Sequence, residues 1–291
     1  MCNFPDLNRF LLKPDLSGKA GADHVKAWLE YKDKSLEDDD GKKVTDPDSS
    51  DAAREFYGIM WDDFLKNTGF RLRPKVVSPD EDSEKYVQGD WMCSVAITFK
   101  KGLILFVNEE KHKKLQKLFP ERIREGVGGP KTYAPILLSD IKKPDNEKKF
   151  QGLWGDPYLQ NFIRSAYTFA NLIIVPDGFN KARSSPTQDY WDETLERYFN
   201  NQEPLKRKPK NGDEIDFGTP FHDLVKASRD KCCDRLFLDE WFYNDKKSIK
   251  MLPNKKLTTL DDWRALMQEM TDRIDNRRVQ MQVRINELMK R

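Results

Sequence analysis

Asn180, Lys181, Arg183, Asp189 and Asp192 bring donors and acceptors of both signs into one short stretch of this chain. An amide and a guanidinium can donate to an anion, and a carboxylate can accept a proton or a hydrogen bond. The stretch follows a nearly continuous apolar run, Leu172 to Val175, that stops at Pro176. Polar groups that converge at the end of a segment built for burial are where ligand sites form. Ser185-Pro186-Thr187-Gln188 then starts a helix: serine caps, proline takes the first turn, and glutamine closes a capping box. Asp189 and Asp192 fall in its opening turns, where their charge complements the macrodipole. Two readings stay open. Arg183 closes the turn as an ion pair with one aspartate. Alternatively, Asn180 and Arg183 donate to a polar or anionic ligand, and Asp189 or Asp192 serves as acceptor or base.

Other chemistries are disfavoured. Only His24, His112 and His222 are present, and the four cysteines, Cys2, Cys93, Cys232 and Cys233, include no Cys-x-x-Cys spacing. Neighbouring cysteines do not easily share one tetrahedral zinc, so no metal and no cofactor is expected. There is no P-loop, no Gly-x-Gly-x-x-Gly and no Gly-x-Ser-x-Gly elbow. His222-Asp223 is a dipeptide found among the ligands of metal phosphohydrolases, but the further histidines are missing, and a structural histidine beside a capping aspartate accounts for it.

The 291 residues suffice for one large domain or two intimately packed ones. Charged residues make up 34% and hydrophobic ones 37%, and the 7 Trp, 9 Tyr and 17 Phe exclude a solvated coil. Lys plus Arg is 51 against 49 Asp plus Glu, so the field of a dedicated nucleic-acid binder is lacking. The basic run Lys206 to Lys210 leaves a local nucleic-acid contact as a minor alternative. The cysteine pattern, the opening residues without an apolar signal core, and the lack of ~18 consecutive apolar residues predict a cytoplasmic protein without membrane contact.

The elements that must position these groups follow from periodicity. Residues 1–43 read as a partly ordered N-terminal segment, with a polar, acidic loop over 31–51, and 44–291 as the main domain. A helix follows Ser50, with Phe56, Met60 and Phe64 on one face and Gly69 at its end. Residues 91–108 read as a β-hairpin turning at Gly102. A short basic helix over Glu109–Pro120 and a glycine-rich loop over 126–130 come next. Asp156-Pro157 starts a mostly apolar helix, and Leu172–Val175 either continues it or forms a strand. The Pro186 helix runs to about Phe199, a basic loop spans 201–219, and helices lie around 221–229 and 233–242. The last helix opens at Thr259 and runs to Arg291. Its apolar positions, Trp263, Met267, Met270, Ile274, Met281, Ile285 and Leu288, form a narrow seam broken only near Arg277. The Trp263–Ile274 half is expected to pack on the domain and the Met281–Leu288 half to project and pair, giving a homodimer. The fold class expected is α+β: a helix-rich single domain with a small antiparallel sheet and a long C-terminal helix.

The order of these residues resembles a bacterial family of uncharacterised proteins, a domain of unknown function, over most of 44–280. Asp46-Pro47-Asp48-Ser49, Phe56-Tyr57 and Trp61 are similar to its opening pattern. Tyr167-Thr168, Ile173, Ile174 and Pro176 look like its apolar-run-proline segment. Asn180, Ala182, Arg183, Asp189, Asp192, Thr194 and Leu195 follow its Asn-x-Ala-Arg…Asp-x-x-Asp-x-Thr-Leu signature. His222-Asp223, Phe237-Leu238-Asp239 and Asn276-Arg277-Arg278 resemble later landmarks. Ser184 stands where the family has glycine after the arginine, the turn is about two residues shorter, and Gly58 replaces a histidine. The resemblance implies no reaction. It adds His222, Asp239 and Arg277 to the candidate site residues. Three functions compete: binding of a polar or anionic ligand at the Asn180–Asp192 turn, with or without turnover; a non-enzymatic interaction module using the last helix; and nucleic-acid contact through basic loops.

Overall fold

Local capping signals set the ends of the long helices. The computed structural model describes residues 36–37, 43–44, 51–74, 86–93, 98, 102, 105, 156–166, 168–176, 195, 199, 206–207, 215–216, 229–243, 248–250 and 257–288. The elements are β1 (Leu36–Glu37), β2 (Lys43–Val44), α1 (Asp51–Thr68), β3 (Arg71–Leu72), β4 (Tyr86–Trp91), α2 (Pro157–Ala166), β5 (Leu172–Pro176), β6 (Lys206–Arg207), β7 (Ile215–Asp216), α3 (Arg229–Leu236) and α4 (Leu260–Leu288). Short 3-10 turns cover Phe169–Asn171 and Asp239–Trp241. The class is α+β, as expected.

Gly69 ends α1 at φ +73°, a conformation that suits glycine, and its N–H donates to the Leu65 carbonyl at 3.1 Å. The helix is interrupted at Trp61, whose φ of −120° and ψ of 15° are not helical. Asp156 caps α2: its Oδ1 accepts the N–H groups of Tyr158 at 3.0 Å and Leu159 at 3.2 Å. At the start of α4, Thr259 Oγ1 accepts the Asp262 N–H at 3.1 Å while Asp262 Oδ2 accepts the Thr259 N–H at 3.0 Å. This is a capping box with aspartate in the glutamate position.

The central sheet has the order β3-β4-β5 and is mixed rather than antiparallel. β4 runs antiparallel to β5, with Val87 opposite Pro176 and Trp91 opposite Leu172. β3 runs parallel to β4. A parallel pair needs a long crossover, which the span 73–85 supplies. All five residues of β5 are buried, so both its faces are covered and its sequence shows no alternation. That settles the Leu172–Val175 segment as strand.

The expected hairpin over 91–108 is not formed. Its first strand ends at Trp91, and Thr98, Gly102 and Leu105 are helical and buried. Their spacing is that of one helical face, and tertiary packing overrides β propensity there. Trp263 of α4 donates its indole N–H to the Thr98 carbonyl at 2.9 Å and lies where a Cβ on Gly102 would sit. Gly102 therefore serves close packing, not a turn. The polar loop 31–51 contains the antiparallel pair β1–β2, and the basic loop 201–219 contains β6–β7. The helix expected over 233–242 instead ends at Leu236 and is followed by a 3-10 turn. Leu195 and Phe199 are helical, in keeping with the helix expected there. Other expectations over 1–30, 109–130, 177–194 and 221–228 lie outside the described residues.

α4 lies along α2. Arg264 Nε donates to Asp156 Oδ2 at 2.8 Å, and Ser165 Oγ donates to Asp275 Oδ1 at 3.0 Å. The pairs advance together along both helices, so the two run parallel. Trp263, Met267, Met270, Ile274, Arg277 and Met281 make one buried row. Burial of Met281 corrects the expectation that the second half of this helix projects from the domain. Further along, Arg284 pairs with Asp63 of α1 at 2.8 Å. The helix is held to the domain as far as Arg284, because its polar residues find partners there. The side chains of Ile285 and Leu288 lie outside the described residues.

Candidate functional site

The break in the α4 seam is filled by the guanidinium of Arg277, which is 0% exposed. Its Nε and Nη2 donate to the Leu236 carbonyl at 3.1 and 2.9 Å. Its Nη1 donates to the Ala170 and Leu172 carbonyls at 2.5 and 2.6 Å. Burial pushes its pKa down to about 9, partly opposed by nearby Tyr57, and it remains protonated at neutral pH. Among the described residues its hydrogen-bond partners are all backbone carbonyls. The dipoles of these carbonyls face the charge.

Those carbonyls are available for a reason. α3 ends because Phe237 takes a left-handed φ of 56°, with Leu238 N donating to the Cys233 carbonyl at 3.0 Å. Phenylalanine rarely adopts this conformation. The turn leaves the Leu236 carbonyl among those without a helical partner, at the negative end of the macrodipole. A buried cation there satisfies both. The carbonyls of Ala170 and Leu172 belong to the junction where the chain leaves its 3-10 turn and enters β5. Arg277 thus ties α4 to the end of α3 and the start of β5.

Asn171 completes the junction from the other side. It is fully buried. Its Oδ1 accepts the Cys93 N–H at 3.0 Å, and its Nδ2 donates to the carbonyls of Cys93 at 2.9 Å and Ala166 at 3.1 Å. Trp61 sends its indole N–H to the Arg235 carbonyl at 2.9 Å. Tyr57 stacks on Trp61 with ring centroids 5.6 Å apart. Phe56, Tyr57, Trp61, Ile173, Ile174, Leu195 and Leu238 share one core cluster, whereas Asp239, Asn276 and Arg278 are exposed.

Of the residues singled out from sequence, Arg277 is the one placed in this hub. Asp239 is exposed at the start of its 3-10 turn. Asn180, Arg183, Asp189, Asp192 and His222 lie outside the described residues. What is described of the turn is its approach: β5 delivers it from the core at Pro176. Sequence reasoning passed over Asn171, Asp156 as a partner of Arg264, and Gly89. The interrupted α4 seam was a usable signal for Arg277. An asparagine beside an apolar run carries no comparable signal.

The described residues include no group of three or more His, Cys, Asp or Glu that could hold a metal ion. No described helix is long and apolar enough to cross a membrane. Cys93, Cys232 and Cys233 are free thiols and buried. Burial pushes the Cys232 thiol up to about 11 from 9.0. In the folded protein at pH 8, iodoacetamide should therefore label the peptide carrying Cys232 at least about a hundredfold more slowly than in urea, since the thiolate is the nucleophile. The folded pKa lies above the unfolded one, so the neutral thiol's contribution to stability is complete below pH 9 and fades as pH rises through 11. Equal labelling rates with and without urea, read by mass spectrometry, would contradict the sealed environment.

Against protein-family models, curated proteins and solved structures, the chain has no match.

Proposed function

We propose that the protein binds a polar or anionic small molecule at the Asn180–Asp192 turn, with Asn180 and Arg183 as donors and Asp189 or Asp192 as acceptor. The observation that carries this reading is the anchoring of β5. The strand is buried at every residue, its start is gripped by Arg277, and its last residue, Pro176, stands four positions before Asn180. Binding residues are commonly carried on segments that a rigid scaffold holds in place. The resemblance to the family signature over Asn180–Leu195 supports the same segment. Inorganic phosphate is the simplest anionic probe. A ligand that binds only the native state raises its melting temperature. The midpoint should rise with phosphate over roughly 1–50 mM in the parent, and Arg183→Ala should abolish the dependence. A rise of the same size in the variant, or none in the parent, removes this reading.

A second reading uses α4 as an interaction helix. Val279 and Val283, one turn apart on its outer face, are 60% and 54% exposed. This face, and not Met281, would engage a second copy or a partner chain. Light scattering on the parent should then give a dimer mass, and Val279→Asp with Val283→Asp a monomer of unchanged helicity. A monomeric parent leaves no homodimer to explain.

A further inference from the structure

We draw no further inference here: the strongest candidate, the apolar Val279 and Val283 patch on the outer face of α4, belongs to the second reading already given, and nothing in the structure beyond its exposure shows what covers it.

Discussion

Replacing Arg277 with methionine should cost the fold about 4 kcal/mol. Methionine fills much of the volume but has no donor. It strands the carbonyls of Leu236, Ala170 and Leu172, each of which accepts from the guanidinium now. A buried carbonyl left without its partner costs about 1–3 kcal/mol, and water entering beside the smaller side chain recovers part of the total. Arg277→Lys separates charge from geometry. An ammonium keeps the charge at the end of α3, but its donors radiate from one point and do not form a fork. It should recover less than half of the loss. Urea titration followed by circular dichroism measures both variants. A lysine variant as stable as the parent would show that charge alone matters. A methionine variant as stable as the parent would show that the carbonyls find other partners.

Gly89→Ala should cost about 3 kcal/mol for the addition of one methyl group. Gly89 pairs with Ile174 in the β4–β5 ladder, so its backbone is fixed. A Cβ placed on it falls on the ring and hydroxyl of Tyr57. Tyr57 is 1% exposed and stacked on Trp61, which leaves its ring little room to yield. The cause is tested by a double-mutant cycle. Tyr57→Ala alone is costly because it opens a cavity. Once the ring is gone, Gly89→Ala should add less than about 1 kcal/mol, since the clash has no partner. Full additivity of the two losses would place the damage in the strand backbone instead of the contact.

The parts of this fold legible in the sequence are those decided within a few residues. The Asp156-Pro157 start of α2, the Thr259 start of α4 and the Gly69 end of α1 all form from local hydrogen bonds, so local sequence carries them. The segment over 91–108 failed for the opposite reason. Its β-branched and aromatic residues favour a strand, but Trp263, far along the chain, claims Thr98 and Gly102 for a helical face. β5 could not be read because a strand covered on both sides shows no period. At Arg277 the seam was visibly interrupted, yet nothing local says that three carbonyls from two distant segments meet the guanidinium. Of the candidate ligand site, the residue types are legible, while its Ser185–Gln188 helix start lies outside the described residues. The anchoring of the β5 start by Arg277 and Asn171 was not legible, because both act through contacts far apart in the chain.

The reach of α4 bears on how the protein is made. Its contacts join Trp263 to Thr98, Arg277 to Ala170 and Arg284 to Asp63, separations of 165, 107 and 221 residues. Such non-local contacts must overcome a large loop-closure entropy before they stabilise anything. On the ribosome, β4, β5 and the end of α3 all emerge before the helix that joins them. Until Arg277 arrives, the carbonyls at the start of β5 stay without its guanidinium, and the apolar faces along the Trp263–Met281 row lack their cover. A nascent chain in that interval exposes the surface that chaperones bind and that drives aggregation. The docking of this late helix is therefore the step expected to limit maturation, and a truncated chain lacking it is expected to aggregate.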